Sequence, residues 1–305
     1  MTQCPRRPES ESRTLVLSGS SSAVRGALWM GGALLSFSLM AVAVRELLRS
    51  FSSLEIVFLR SLVSLVIVLA MLPWFGMRAL RTRQFGVHVA RNVFHYAGQF
   101  AWVYAIGMLP LATVFAIEFT MPVWTAVLAV LILGERLDRG RVVMLALGLA
   151  GILIILKPGF AQVSPAALVM LGGSFAYAAT MIGTKHLAGH DTAYAVLFYM
   201  SAIQVPLGLL PSIPGWITPR VVDLPWIIAV GASGLAAHFC LTRALRAADA
   251  TIVVPIDFLR LPLIAVIGFA LYGEPLEFST LLGAAVIFSG TYYSIRRASR
   301  APKRP

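Results

Sequence analysis

The chain has 305 residues, of which 58% are hydrophobic and only 12% are charged, and its mean hydropathy is +0.83. A soluble domain with this balance could not cover its surface with polar groups, so the composition excludes a soluble enzyme and indicates an integral membrane protein. The formal net charge of +12 indicates basic cytoplasmic segments rather than nucleic-acid binding, because no basic patch is interleaved with aromatic residues.

The predicted elements begin with a polar tail and continue as spans. Residues 1–24 lack the apolar core and cleavage site of a secretory signal, so a disordered cytoplasmic tail is predicted there. Ten apolar stretches of membrane-spanning length follow, and residues 297–305 form a basic cytoplasmic tail. The stretches are residues 25–44, 53–73, 86–107, 111–133, 141–156, 164–185, 193–211, 223–243, 249–272 and 277–295. The sequence predicts an all-α membrane protein with ten transmembrane helices.

The basic residues predict an orientation. If the N-terminus is cytoplasmic, 18 Lys and Arg residues fall in cytoplasmic segments and four fall in external ones. Because basic residues are retained on the cytoplasmic side of a membrane, both termini are predicted to be cytoplasmic.

The second half of the chain repeats motifs of the first. Glu118-Phe119, Gly134-Glu135, Leu137 and Gly151 recur 139 residues later as Asp257-Phe258, Gly273-Glu274, Leu276 and Gly290. Five spans are an odd number, so the two units must point in opposite directions. We expect two inverted five-helix repeats, residues 25–158 and 159–296, with a site at their interface near the membrane midplane.

Five charged residues lie deep inside predicted spans, away from the span ends. They are Glu118, Asp257, Arg60, Arg91 and Arg260. A carboxylate at the bilayer centre costs at least about 2.5 kcal/mol, so these groups should face one another or a wet cavity. Arg60 is predicted at the depth of Glu118, Arg91 at the depth of Asp257, and Arg260 on the helical face of Asp257.

Three arginines facing two acids leave a surplus positive charge, which a carboxylate or phosphate of a substrate could neutralise. Arg260 is ranked first for that contact, then Arg91, then Arg60. Glu118 and Asp257 are candidates for proton coupling. The alternative is a set of buried ion pairs that only orient helices.

The third span carries one polar stripe. Its residues are His88, Arg91, His95, Gln99 and Trp102, at spacings of 3, 4, 4 and 3. Two interpretations stay open: a substrate-facing wall in which His95 and Gln99 hydrogen-bond and Trp102 stacks, or hydrogen bonds between helices plus an interfacial His88. His238 stands 139 residues after Gln99, so the eighth span is expected to present a matching wall. His88 and His95 lie two turns apart without a Cys or carboxylate at ligand spacing, so no metal or cofactor is expected.

Two further motifs concern helix ends. Gly134-Glu135 and Gly273-Glu274 are interpreted as helix terminations with an acid near the next helix's N-terminus. Pro122, Pro255 and Pro262 are expected to break helices and expose backbone carbonyls.

The paired motifs resemble one transporter family. "EFTMPVWTAVLAVLILGERLDRGRVVMLALGLAGILII" and "DATIVVPIDFLRLPLIAVIGFALYGEPLEFSTLLGAAVIFSG" are similar to the EamA family of the drug/metabolite transporter superfamily, over about residues 25–296. The resemblance implies ten helices, alternating access and secondary transport of small metabolites, often export, across a bacterial inner membrane. "EIVFLR", "WVYAIGMLPLATVFAIEF" and "PIDFLRLPL" resemble the branch that holds carriers of S-adenosylmethionine, riboflavin and opine-type metallophores. The in-span acids and arginines are not part of the general family pattern.

The predicted function is outward transport of a carboxylate-bearing, amino-acid-derived metabolite. The positive surplus favours an opine-type metallophore. The alternative is uptake of riboflavin or S-adenosylmethionine, although the sulfonium of the latter adds positive charge. An intramembrane enzyme is disfavoured because the sequence has no H-E-x-x-H or G-x-S-x-G and Asp257 lacks a second catalytic aspartate. A sensor is disfavoured because no soluble output domain is evident. The expected partners are a small-molecule substrate and the lipid bilayer, not nucleic acid; a homodimer is left open.

Overall fold

The computed structural model describes residues 9–133, 138–157, 164–248 and 250–300 and is helical throughout those ranges, with three short 3₁₀ turns and no strand. The α-helices are α1 (Glu9–Leu47), α2 (Ser53–Ala70), α3 (Leu72–Phe75), α4 (Phe85–Met108), α5 (Leu111–Glu118), α6 (Met121–Leu133), α7 (Arg139–Leu156), α8 (Pro165–Ala188), α9 (Ala193–Ser212), α10 (Leu224–Ala247), α11 (Ala250–Phe258), α12 (Arg260–Tyr272) and α13 (Phe278–Arg300). The predicted all-α membrane class is confirmed.

Nine segments of the described chain are long and apolar enough to cross a membrane, and they coincide with nine of the ten predicted spans. The one predicted span outside that set is the third in chain order, α4, because its polar stripe lowers its hydropathy. It has 24 residues, a length of about 36 Å at 1.5 Å per residue. Since α4 packs against α2, α8 and α9, its stripe faces protein.

The helix pairing has the symmetry of an inverted repeat. The first repeat contributes α1, α2, α4, α5–α6 and α7, and the second contributes α8, α9, α10, α11–α12 and α13. The first helix of each repeat packs on the third of the other, as α1 on α10 and α8 on α4. The second helices pack together, as do the fifth. The helix contacts are therefore related by the symmetry of the two repeats, and the two-repeat architecture is confirmed.

The fourth helix of each repeat is broken at equivalent positions. The α5–α6 break falls at Phe119 and Thr120, and the α11–α12 break at Leu259. Pro122 and Pro262 lie in the first turns of α6 and α12 and have no N–H to bond the residue four positions earlier. Pro255, by contrast, lies inside α11. The prolines at 122 and 262 therefore account for the two breaks.

Two features differ from the sequence expectation or lie outside the description. α1 begins at Glu9, so helix occupies residues 9–24 where a disordered tail is predicted. Residues 1–8 and 301–305 of the two predicted tails lie outside the described residues, as do Gly134, Glu135 and Leu137 of the first Gly-Glu motif.

The contact between α7 and α13 depends on two glycines. A Cβ placed on Gly283 would lie 2.5 Å from Ile155 Cγ1 and 2.7 Å from the Gly151 carbonyl oxygen. We expect Gly283→Ala to destabilise the fold by about 1–3 kcal/mol, because added volume in a close-packed contact forces the backbones apart. The measurement is the thermal unfolding midpoint of purified protein. Gly172→Ala is the matched control, since nothing lies within 4 Å of its Cβ position; equal midpoints for the two variants would contradict the prediction.

Candidate functional site

Glu118 and Asp257, which are repeat mates in the sequence, meet at one arginine. Arg260 Nη1 lies 3.3 Å from Glu118 Oε1, and Arg260 Nε lies 3.6 Å from Asp257 Oδ1. The helix breaks create this arrangement, because Glu118 ends α5 and Arg260 begins α12. Trp102 Nε1 donates a 2.8 Å hydrogen bond to Glu118 Oε2. The cluster of these four side chains carries one net negative charge when all its groups are ionised.

Aromatic rings enclose the Arg260 guanidinium. Its Cζ lies 4.5 Å, 5.1 Å and 4.9 Å from the ring centroids of Phe37, Phe115 and Phe119. Such cation–π contacts favour a desolvated guanidinium. Phe119 also stacks on Phe258, its repeat mate, at 4.1 Å between centroids. Arg260 is thus held by two acids and three rings.

Arg60 does not pair with Glu118, although the sequence predicts that the two lie at a similar depth. Its side chain is buried against Gly234, where a Cβ would lie 3.0 Å from Arg60 Nη2. Its Nε has no hydrogen-bond partner, and within the described chain no carboxylate lies at ion-pair distance from it. Its positive charge is close enough to act on His95 and His238. Among the described residues, Arg60 is therefore a buried cation without a counter-ion.

Arg91 also lies apart from Asp257. Its Nε donates to Thr184 Oγ1 at 3.1 Å, and its Nη1 donates to the side-chain oxygen of Asn92 at 2.7 Å. Its aliphatic stem contacts Gly183 at a position where a Cβ would clash. Arg91 thus has neutral partners, and its charge adds to that of Arg60.

The polar stripe of α4 is divided among several partners. Gln204 Nε2 donates to His95 Nδ1 at 2.6 Å, and the Tyr177 ring lies 5.9 Å from the His95 ring between centroids. Gln99 Oε1 is buried without a partner. His238 of α10 lies near this stripe, since the rings of His95 and His238 are 6.3 Å apart between centroids, and the matching wall stays a prediction. The stripe therefore supplies both interhelical hydrogen bonds and an unsatisfied acceptor, and its role in substrate binding stays a prediction.

Sequence reasoning missed Tyr177, Gln204 and the aromatic rings around Arg260. Tyr177 and Gln204 lie among other polar residues of α8 and α9, and no spacing links them to α4. The sequence does contain a signal for the stacked Phe119 and Phe258, because they are the second residues of the repeated acid–Phe pair.

Glu274 of the second Gly-Glu motif joins the end of α1 to the start of α5. Its carboxylate pairs with Arg45 and accepts a 2.7 Å hydrogen bond from Leu111 N, while Arg45 Nη2 donates to the Leu109 carbonyl at 3.1 Å. The expected acid at a helix N-terminus is present, but the helix is α5 and not the following α13. Glu274 of the second repeat is therefore linked to α1 and α5 of the first.

His88 belongs to a polar cluster of protein side chains. It is fully buried, and its Nε2 lies 2.8 Å from Asp191 Oδ2, which also accepts a 2.6 Å hydrogen bond from Thr82 Oγ1. Burial by itself would raise the pKa of Asp191, but the hydrogen bonds from Thr82 and His88 outweigh it and lower the pKa of that carboxyl. This cluster ties α4 to the α8–α9 turn at the predicted cytoplasmic end. Among the described residues, no group of three or more His, Cys, Asp and Glu could hold a metal ion.

Comparisons with known proteins cover nearly the whole chain. The model of the EamA-like transporter family matches residues 24–157 and again residues 164–296. An S-adenosylmethionine uptake transporter of Rickettsia prowazekii is 28% identical over 272 residues, which cover 89% of this chain and 92% of the relative. A riboflavin transporter of Rhizobium johnstonii is 31% identical over 288 residues, 93% of this chain and 95% of the relative.

Two further matches also cover most of the chain. A riboflavin transporter of Vibrio cholerae is 29% identical, with 87% of this chain and 90% of the relative covered. A crystal structure that is 18% identical superposes with a TM-score of 0.62 over 90% of this chain and 98% of its own, and it shows the fold alone. With both repeats matched by the family model, the chain belongs to the EamA-like transporter family.

Proposed function

We propose that this chain is a secondary uptake transporter for a zwitterionic, amino-acid-derived metabolite of the S-adenosylmethionine type. The observation that carries the proposal is the division of buried charge between two regions. Glu118 and Asp257 share one arginine and leave negative charge, whereas Arg60 has no counter-ion within the described chain. A substrate with a cation at one end and a carboxylate at the other would complement both regions.

The division of charge makes S-adenosylmethionine a better candidate substrate than the sequence alone suggests. From the sequence, its sulfonium is unfavourable next to three arginines. In the structure, Arg260 is neutralised by Glu118 and Asp257, so the acidic cluster can accept a sulfonium or ammonium group. A carboxylate is suited to Arg60, because a guanidinium offers two parallel N–H donors to carboxylate oxygens.

The named relatives support uptake rather than export. Relatives that match most of the chain are called S-adenosylmethionine uptake transporter and riboflavin transporter. They favour the alternative over the predicted export of an opine-type metallophore, for which the comparisons give no support. We therefore propose inward movement, across an inner membrane, with both termini in the cytoplasm as the 18-to-4 division of basic residues predicts.

Riboflavin is the second candidate. It is favoured by the 31% identical relative of Rhizobium johnstonii and by the aromatic rings of Phe37, Trp102 and His238 near the site. Riboflavin carries neither a carboxylate nor a cationic group, so it would leave the charge of Arg60 without a partner. The charge pattern therefore favours the zwitterion.

Alternating access is supported by the broken helices. α5–α6 and α11–α12 place Glu118, Asp257 and Arg260 at the ends of half-helices, where ion sites form in inverted-repeat transporters. We propose that Glu118 or Asp257 takes up a proton when a substrate cation is absent. The two acids share one arginine, so one of the two negative charges would otherwise lack a compensating positive charge.

Purified protein in liposomes tests the proposal directly. We expect time-dependent accumulation of radiolabelled S-adenosylmethionine, competition by unlabelled S-adenosylhomocysteine, and little competition by riboflavin. Empty liposomes and liposomes with heat-inactivated protein are the controls. Accumulation of riboflavin without S-adenosylmethionine would select the second candidate, and transport of neither would reject both.

A further inference from the structure

A cavity of about 440 Å³ opens at the predicted outer end of the bundle. Its lining residues come from the end of α1, the start of α2 and the ends of α4 and α12; among them are Arg45, Arg49, Phe51, Ser53, Tyr104 and Tyr272. It is separate from the cluster of Glu118, Asp257 and Arg260. We propose that it is a first binding site for substrate arriving from outside, and that it takes a planar, carboxylate-bearing organic molecule.

An exposed arginine gives the cavity a group that can bind an anion. Both charged residues in the described lining are arginines, and each has a carboxylate partner, Glu274 for Arg45 and Glu46 for Arg49. Glu46 Oε2 lies 2.7 Å from Arg49 Nη1, and Glu46 Oε1 accepts a 3.1 Å hydrogen bond from Tyr272. Arg49 nevertheless keeps 66% of its side chain exposed, and Arg45 Nε is buried without a partner. The exposed guanidinium can bind a carboxylate bidentately.

The walls of the cavity are suited to a ring. Tyr104 and Tyr272 come from α4 and α12, on opposite repeats, and Phe51 precedes α2. The Tyr272 ring is fixed, because its hydroxyl bonds Glu46 and Arg45 Cζ lies 5.4 Å from its centroid. Tyrosine pairs of this kind bind planar molecules at low entropic cost.

The same helices lead from this cavity to the acidic cluster. Tyr104 lies two residues beyond Trp102 on α4, and Tyr272 lies about 18 Å beyond Arg260 along α12 at 1.5 Å per residue. Arg45, which pairs with Glu274 of the opposite repeat, itself lines the cavity. We expect this pair to separate when a molecule moves from the cavity to the acidic cluster.

Cysteine protection tests this site separately from transport. The sequence contains only Cys4 and Cys240, so both are replaced by Ser and Gly107→Cys is added. Gly107 lines the cavity, and its Cβ position lies 3.4 Å from the nearest atom, so the introduced thiol fits. We expect a membrane-impermeant maleimide to label it from outside, and S-adenosylmethionine to slow the labelling at least about fivefold. Val222→Cys, at a position 67% exposed on the same predicted side, is the control that should label without protection.

Two further variants separate the cavity from the central site. Arg49→Gln with Tyr104→Ala should remove the protection and raise the KM for uptake at least about fivefold. Arg60→Met should stop transport and leave the protection intact. Loss of protection in Arg60→Met would mean that the cavity only responds to the central site, and would overturn the proposal.

The proposal takes its probe from the proposed function, and the outcomes distinguish the two. S-adenosylmethionine that protects the thiol introduced at position 107 without being transported would support the cavity and reject the function. Transport without protection would reject the cavity alone, and neither effect would reject both. Labelling slowed by phosphatidylglycerol in the liposomes, and not by S-adenosylmethionine, would make the cavity a lipid site and overturn the inference.

Discussion

Arg60→Met is expected to reduce S-adenosylmethionine uptake by about 100-fold or more while leaving a folded protein. Arg60 is buried and has no counter-ion within the described chain, so replacing it with Met removes a costly unpaired charge. Removal of one partner from a desolvated charge pair costs about 2–5 kcal/mol in binding. Arg60→Lys should retain part of the uptake, since it keeps the charge but loses the bidentate geometry.

Uptake and folding must be measured on the same preparations. Initial rates in liposomes give transport, and the elution profile and thermal midpoint of the purified protein report folding. Arg220→Gln is the matched control, because the Arg220 side chain is 70% exposed and pairs with the neighbouring Asp223. If Arg60→Met transports at the wild-type rate, Arg60 has no role in substrate recognition and the carboxylate assignment fails.

Arg260→Met is expected to have the opposite profile, with the larger effect on folding. It would leave Glu118 and Asp257, whose side chains are 17% and 25% exposed, as two acids without a cation. Breaking a fully buried ion pair costs about 3–5 kcal/mol, and the partial exposure of these acids reduces that cost. A triple variant that combines Arg260→Met with Glu118→Gln and Asp257→Asn should restore the folded yield, because no buried charge is left alone. Transport should stay absent, since the acidic cluster that binds the substrate cation is gone.

The triple variant distinguishes two roles of the cluster. Recovered folding with recovered transport would reduce Glu118, Asp257 and Arg260 to an ion-pair network that only orients helices. Recovered folding without transport would support a direct role. The single variants Glu118→Gln and Asp257→Asn then show which acid carries the pH dependence of uptake, measured as the rate at a series of external pH values.

The ranking of the three arginines shows where prediction from the sequence reaches its limit. Arg260 ranks first for substrate contact because of its position near the midplane. That position is what brings it to both acids, with Phe115 and Phe119 against its guanidinium. Arg60, ranked last, has no counter-ion in the described chain and its Nε has no hydrogen-bond partner, whereas Arg91 at least bonds the neutral side chains of Thr184 and Asn92. Depth in the membrane can be estimated from span boundaries, but the direction in which each side chain points cannot.

The assignment of α4 shows a second limit. Its polar stripe follows a helical period, so the sequence shows that the five side chains share one face. The partners of that face belong to α5, α8, α9, α10 and the α8–α9 turn, and no local pattern predicts them. His88 illustrates this, because a histidine near a helix end is interfacial by position and yet is buried here against Asp191.

The membrane class, the ten apolar segments, the inverted repeat and the five charges inside spans all follow from the sequence. Apolar length and repeated motifs are linear properties of a chain, so they can be read without knowing how the helices pack. The pairing of Arg260 with both acids, and the isolation of Arg60 from any described carboxylate, required the packed molecule. Such pairing depends on the rotation and tilt of each helix, which are set by contacts between distant residues: Gly234 makes room for Arg60, and Phe119 meets Phe258 across the two repeats.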